Sequence, residues 1–453
     1  MDATTERLVD FALSVDAAAL APGVVHECKR RIVDTFACAA GGYTEPVSRM
    51  AQAVARLSPG GGRPASLWCG SGRVTPEAAA FANGVALRAL DMSDTYGVKS
   101  IGHPSDVLSG IFAVAEAVQA DGPSTLAAAT LAYDVYGSFC ELVDVNALGW
   151  DQPVYGVIAC ALGAGRLLGL TREQLGHAVA LALAPNMALY QTRHGELSAW
   201  KNCAGANASR NAVFAAYLAR EGVTGPAAIF EGRAGLWDAI GRHDWTVTVD
   251  ERSPHRVTLT DIKLLPLCYH GLSAAFAAFD LRGRVDLERV TAVRVETYRA
   301  AIEAMANDDT RWRPETRETA DHSLPYVVAA ALLDGDITAE SFSPQKLRDP
   351  RIAALTAKVT VHEDPAHTSR YPQAPSCRVI AAAGSGEVRA EVEYPRGHVR
   401  NPVSDAELDA KFTRCALPAL GAARCAEALR ALWRIDEAGD VAAVMRLFAA
   451  PDR

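Results

Sequence analysis

From the N-terminus to about Gly241, apolar positions recur at helical spacing in a background rich in Ala and Leu, which predicts helix after helix. Gly and Pro punctuate this run near 59–62, 122–123 and 222–226. The stretch 76–90 predicts one helix, with Thr75 as N-cap and Pro76 at the first helical position, where its missing N–H costs nothing. Val107, Leu108, Ile111, Phe112, Ala115 and Val118 share one face of the next, which is expected to stop at Gly122-Pro123. Thr171 and Gln174 form a capping-box pattern for a helix through Leu183, and 204–221 reads as another that closes at Gly222. Beyond Gly241 the texture changes. The segments 244–261, 289–299 and 356–362 carry alternating Val and Thr, and 378–393 around Gly384-Ser-Gly386 reads as a β-hairpin. Between them 323–333 predicts a short buried helix, and a second capping box at Ser404 and Glu407 returns the tail to amphipathic helix as far as Ala449. The expected architecture is mainly α: a large all-helical domain from 1–262 plus 403–453, with a smaller α/β lid domain, 263–402, inserted.

Length and charge narrow the partners. A chain of 453 residues exceeds one ordinary core, so two domains are the default. The net charge of −8, without a basic stripe, speaks against nucleic acid or an anionic membrane as partner. An anionic substrate would need local positive charge, held against the overall field. The opening MDATTERLVDFALSV lacks a basic-then-apolar leader pattern, and Arg166 and Pro185 break the apolar runs, so neither a signal peptide nor a spanning helix is expected and the cytoplasm is the expected location. Ten dispersed cysteines without a CxxC pair suit reduced thiols, and HExxH is absent, so no metal is expected. Gly163-Ala-Gly165-Arg-Leu-Leu-Gly169 imitates a dinucleotide fingerprint, but its spacing is GxGxxxG and no βαβ unit surrounds it. A helix with small packing residues is expected there, and no cofactor.

Chemistry concentrates at 90–107, LDMSDTYGVKSIGHPSDV, where Asp91, Asp94, Thr95, Lys99, His103, Ser105 and Asp106 lie between two apolar helices. The group His103-Pro104-Ser105-Asp106 opens the second helix, whose free N–H groups make an anion site beside a histidine that titrates near neutrality. The alternative is that Ser105 or Asp106 merely caps the helix. Lys201 stands beside the N-terminus of the 204–221 helix, where a cation is disfavoured unless an anion is near. Lys263 falls at the change of texture, where a cleft between domains belongs. Asp321-His322-Ser323, with Tyr326 one turn on, adds a polar cluster whose default reading is a cap and a packed tyrosine.

Taken in order, LDMSDT with GHPSD, GWDQPVYGVIACALGAGRLLGL, GELSAWKNCAGANASRNAVFAAYLAREGVTGP, KLLPLCYHG, DHSLPYVVAAALLDGDIT and YPRGHVRNPVSDAELDAKF resemble the MmgE/PrpD family across nearly the whole chain. The resemblance implies a homodimeric, cofactor-independent lyase acting on a small anionic di- or tricarboxylate. Dehydration of 2-methylcitrate is the first expectation. Decarboxylation of cis-aconitate or epimerisation of a dicarboxylate is the alternative within the family, and a non-catalytic dimeric binding protein is a distant one. The resemblance assigns Asp91, His103, Lys201 and Lys263 to catalysis, with His103 the acid/base oriented by Asp91 and the lysines clamping carboxylates. Asp94, Thr95, Ser105, Gln152 and Tyr326 are assigned to substrate binding. Two departures bear on the substrate: Gln152 stands where many relatives carry histidine, and the stretch from Thr95 to His103 is longer than in the decarboxylase branch and carries Lys99.

Overall fold

The computed structural model describes residues 1–384 and 386–449. Two separate hydrophobic cores organise them. The larger draws on residues 8 to 262 and again on 403 to 448; the smaller is built from residues between 265 and 390. The chain passes from one to the other at Lys263, between Ile262 of the first and Leu265 of the second.

In the larger unit the helices Pro22–Gly42, Pro76–Arg88, Leu108–Val118, Gly122–Leu142, Pro153–Leu167 and Trp200–Arg220 pack together, and Ala and Gly on their buried faces, most of all on Trp200–Arg220, allow close approach. Several local signals are realised. Pro76 opens its helix, although the Thr75 hydroxyl makes no cap. Both capping boxes form, Thr171 with Gln174 and Ser404 with Glu407. The false fingerprint lies inside the helix Pro153–Leu167. Other expectations are corrected. Gly122-Pro123 does not end a helix but begins the next, because Asp121 accepts the Ser124 N–H as its N-cap. The preceding helix stops at Gln119 in a left-handed conformation. Residues 244–261 contain no strand; their alternation covers an irregular crossing with one short turn, Arg256–Leu259. The tail is broken by Gly421 into Asp405–Leu420 and Ala422–Trp433, followed by Val441–Arg446.

The smaller unit holds a four-stranded mixed sheet: β1 (Val290–Thr297), β2 (Val359–Glu363), β3 (Cys377–Ala383) and β4 (Gly386–Val392), in the order β2-β1-β3-β4. β1 runs parallel to β2, with Val293 opposite Val359, and antiparallel to β3, with Val295 opposite Val379. β3 and β4 form the expected hairpin, whose tip residue Ser385 lies outside the described residues. Val290, Val293 and Val295 point inward beneath the helices Leu272–Arg282 and Leu324–Asp334. The return to the larger unit is close: the Ile262 N–H donates to the Gly397 carbonyl (2.9 Å), and a Cβ on Gly397 would lie 1.8 Å from the Ile262 oxygen, at a φ of +101°. Only glycine fits that crossing. Among the described residues no helix is long and apolar enough to cross a membrane.

Candidate active site

The helix Pro76–Arg88 ends against the polar loop, and its last residue sets the first contact. Arg88 is buried, donates to Asp91 Oδ1 (3.1 Å) and bonds the Ser93 hydroxyl. Asp91 takes a positive φ of 48°, a strained backbone for a residue with a side chain. Its carboxylate is the hub of the site. Lys201 Nζ stands 3.5 Å from Oδ2, Lys263 Nζ 3.4 Å from Oδ1, and His322 Nε2 3.6 Å from Oδ2. Burial works to raise the Asp91 pKa, but Lys201, Lys263 and Arg88 together hold it well below the usual carboxylate range. Burial pulls Lys263 the other way, below its ordinary value, although its ammonium also donates to the carbonyls of Asp91 and Leu267.

Lys201 belongs to the first turn of Trp200–Arg220 rather than standing before it. The conflict with the helix dipole is resolved by anions: besides Asp91, Asp321 Oδ1 lies 3.6 Å from its nitrogen. Asp321 in turn bonds His322 Nδ1. Cys268 beside it and Asp321 at Nδ1 raise His322 above its ordinary value against the opposition of burial and Lys201. The same contact acts on the thiol. Burial pushes up every other cysteine, whereas His322 and Lys263 overcome it at Cys268 and bring that thiol down.

His103 is built differently. Its Nδ1 lies 2.7 Å from the Asp94 carbonyl, which can only accept, so Nδ1 carries the hydrogen and Nε2 the lone pair. Burial, then Arg88 and Lys263, push its pKa well below the ordinary histidine value and keep the ring neutral. The expected orientation by Asp91 is thus replaced by one from Asp94, because the Asp91 carboxylate is already engaged by four cationic side chains. Asp94 also ties the turn with its carboxylate, accepting from Ser105 N–H (3.1 Å) and Tyr133 O–H (2.7 Å). Thr95 pairs by backbone with Asp261, and its hydroxyl stands 3.5 Å from His103 Nδ1. Neither Ser105 nor Asp106 caps the turn Pro104–Val107 with its side chain.

The structure therefore gathers Asp91, Lys201 and Lys263, with His103, Asp94 and Thr95 alongside. Ser105 lies in the same turn, and Gln152 sits at the start of the helix Pro153–Leu167, where its N–H donates to Asp151. Tyr326 is elsewhere. Its hydroxyl donates to the Ser341 carbonyl (2.6 Å) and its ring packs near Phe342 in the smaller core, so the pocket assignment is corrected to the packed tyrosine of the plain reading. Sequence reasoning gave no role to Arg88, Cys268 or His322. The signal for Arg88 was an arginine closing an otherwise apolar helix three residues before Asp91.

Asp91, Asp321 and His322 also bring one ligand atom each within 4.8 Å of one another. That spacing could hold a cation, but the Lys201 ammonium already stands between both carboxylates. A metal would have to displace it, so this donor set suits an anion held against the lysines better than a metal.

Known proteins match the chain over most of its length. The model of the MmgE/PrpD N-terminal domain matches residues 6–248, and that of the C-terminal domain matches residues 265–435. A 2-methylcitrate dehydratase of Cupriavidus necator is 29% identical over 426 residues, covering 87% of this chain and 86% of the relative. One of Salmonella typhimurium is 30% identical over 359 residues, 72% of each chain. A mitochondrial 2-methylcitrate dehydratase of Yarrowia lipolytica is 27% identical over 352 residues, 72% of this chain and 67% of its own. The chain belongs to the MmgE/PrpD family.

Proposed function

We propose that the chain is a hydro-lyase of the MmgE/PrpD type that removes water from a citrate-like hydroxy-tricarboxylate, with 2-methylcitrate as its substrate. The observation that carries this reading is the convergence of Arg88, Lys201, Lys263 and His322 on the Asp91 carboxylate, with Asp321 and Asp106 as the further carboxylates of the cluster, beside a neutral histidine with a free nitrogen. Surplus buried cations call for an anion. Lys201 and Lys263 clamp substrate carboxylates, and Asp91 holds the two ammonium groups in place between turnovers. His103 Nε2 takes the proton from the carbon next to a carboxylate, the lysines stabilise the enolate-like charge that develops, and the imidazolium hands that proton to the hydroxyl, which leaves as water as its C–O bond breaks, so that the ring is neutral again.

The same reading carries a reaction without metal or nicotinamide, residues 263–402 acting as a lid, and a homodimer. Support for the dimer comes from exposed Leu189, Trp200 and Phe214, the first two lining a groove of about 490 Å³ beside the Lys201 helix. The test is to incubate the purified protein with 2-methylcitrate, citrate, cis-aconitate and iminodisuccinate in turn, following unsaturated product by ultraviolet absorbance and carbon dioxide release. Unsaturated product from 2-methylcitrate, also after dialysis against chelator, supports the reading. Carbon dioxide from cis-aconitate or epimerised iminodisuccinate alone replaces it, and no product from any leaves a binding protein.

A further inference from the structure

We propose that Arg311, in the smaller unit, anchors the third carboxylate of the substrate and sets a preference for tricarboxylates over dicarboxylates. The side chain is 2% exposed. Its Nε and Nη1 have no hydrogen-bond partner, and no carboxylate pairs with it, among the described residues. Eight arginines and lysines are buried there, and each of the other seven meets a carboxylate within 3.5 Å. Arginine stays charged, and a buried charge is costly unless a counter-charge meets it. Arg311 alone of the eight has that counter-charge still to gain.

Its place in the chain ties it to the site. Arg311 lies in the turn Asp309–Trp312, and its carbonyl accepts the hydroxyl of Ser323, the residue after His322. Two residues before Ser323, Asp321 accepts the Cys268 N–H with its carbonyl (2.9 Å) and faces Lys201 with its carboxylate (3.6 Å). The anions whose charge reaches the guanidinium are Asp308, Cys268 and Asp321. The last two belong to the cluster around Lys201 and His322.

None of the three neutralises it. Asp308 gives its carboxylate to the Thr310 N–H (2.9 Å) and hydroxyl, as the N-cap of the turn. Asp321 is taken by Lys201 and His322, and the Cys268 thiol by His322. Burial outweighs all three anions and draws the Arg311 pKa down, from an ordinary value so high that the group remains a cation.

A count of groups identifies the ligand. The proposed substrate carries three carboxylates, and Lys201 and Lys263 clamp two. Arg88 is spent on Asp91 and Ser93, and His322 on Asp321, which leaves Arg311 for the third. Its planar fork matches a carboxylate, whose two oxygens accept parallel N–H bonds. A dicarboxylate would satisfy the lysines and leave the guanidinium buried without a partner. Lys201 stands on a helix of the larger unit and Arg311 on a turn of the smaller, so a ligand held by both also joins the two cores. The inference rests on the dehydratase reading and deepens it.

The test is calorimetry on the full-length protein with three ligands that have no hydroxyl to lose: propane-1,2,3-tricarboxylate, and glutarate and 2-methylsuccinate, each of which lacks one of its carboxylates. Wild type should bind the tricarboxylate about tenfold or more tighter than either. In Arg311→Met the tricarboxylate should weaken by a similar factor while the dicarboxylate that lacks the Arg311 contact keeps its affinity, so the preference over that one disappears. Arg311→Lys, which keeps a charge without the fork, should fall between the two, and it decides the matter if the methionine variant does not fold. The melting temperature of unliganded Arg311→Met should hold or rise, because an apolar chain replaces an unpaired buried charge, whereas loss of a structural ion pair would lower it. Equal binding of the three ligands by wild type, no binding of the tricarboxylate, variants that keep the full preference over both dicarboxylates, or a lower melting temperature in both variants would overturn the anchor. A preference that depends on Arg311, without unsaturated product from any hydroxy-tricarboxylate, would keep the anchor and remove the dehydratase reading. Turnover by wild type with variants of unchanged preference would do the reverse.

Discussion

Two buried carboxylates, Asp34 and Asp91, lie close together in the fold and are treated in opposite ways. Asp34, on the helix Pro22–Gly42, meets one ammonium: Lys411 Nζ stands 2.5 Å from it and spends its other bonds on the carbonyls of Met92 (3.0 Å) and Lys263 (2.6 Å). Both partners are fully buried, and Asp34 holds Lys411 charged against the pull of burial. That cluster is closed. Asp91 instead meets Arg88, Lys201, Lys263 and His322, on a strained backbone. The closed pair ties the helix Asp405–Leu420 to the backbone that carries Asp91 and Lys263. The open cluster is left with charge to spare. Balance marks the part that builds the site, and the excess of cations marks the part on which the proposed function draws.

The largest expected effect separates chemistry from architecture. His103→Ala should lower turnover by about 10²–10⁴-fold, the range of a general acid/base, with an unchanged melting temperature. A folded variant with near-normal turnover would take His103 out of the mechanism. The pH profile gives a second reading of the same residue. Its pKa is depressed in the fold, so protonation that would silence the base occurs only well below the ordinary 6.5. A loss of kcat/KM with a midpoint at or above 6.5 would therefore belong to another group.

Next in size, Lys411→Met should cost about 3–5 kcal/mol of stability, since it strands a buried carboxylate. Lys201→Met, which removes one of several cations from Asp91, should cost distinctly less in the unliganded protein. Denaturant unfolding of the two variants tests the contrast directly. Equal losses would mean that the Asp91 cluster is balanced after all.

Lys201→Ala and Lys263→Ala should each weaken substrate binding and slow the chemical step by roughly 10–100-fold, the worth of one charge-assisted contact of about 1.5–3 kcal/mol. Arginine should not restore either fully, because a planar fork replaces a compact ammonium. Burial lowers the Lys263 pKa, so its charge, and with it substrate binding, is lost as pH rises through a value below the ordinary 10.5. KM measured against pH should show that rise in wild type and lack it in Lys263→Ala. Wild-type kinetics for both alanine variants would end the clamp assignment.

What could be read in the sequence follows the range of each interaction. The capping boxes, the helix after Pro76 and the hairpin are decided within a few residues, and they formed as expected. Polar residues crowded at 90–107 signalled chemistry because an apolar neighbourhood makes them costly without a purpose. Partner choice was not legible. Asp91 and Asp94 are three residues apart with the same side chain, and only the fold decides that the backbone carbonyl of Asp94 orients His103 while the carboxylate of Asp91 collects lysines from positions 201 and 263. The alternation in 244–261 promised a strand, but among the described residues the segment forms only an isolated bridge, Asp261 with Thr95, and tertiary context decided it.

The smallest expected effect tests the boundary of the site on the side of the smaller unit. Tyr326 lies one turn beyond His322 and Ser323, so proximity in sequence alone would place it in the pocket. Its amide instead donates to the Ser323 N-cap, and its hydroxyl reaches the Ser341 carbonyl beneath Phe342. Tyr326→Phe removes one buried hydrogen bond and keeps the ring, which should cost about 0.5–1.5 kcal/mol of stability. Turnover should stay within about twofold of wild type, less than the loss of a single hydrogen bond to substrate. Unfolding curves and kcat measured on one preparation decide the matter. A large fall in kcat with stability unchanged would return Tyr326 to the substrate and move the edge of the site one helical turn into the smaller core.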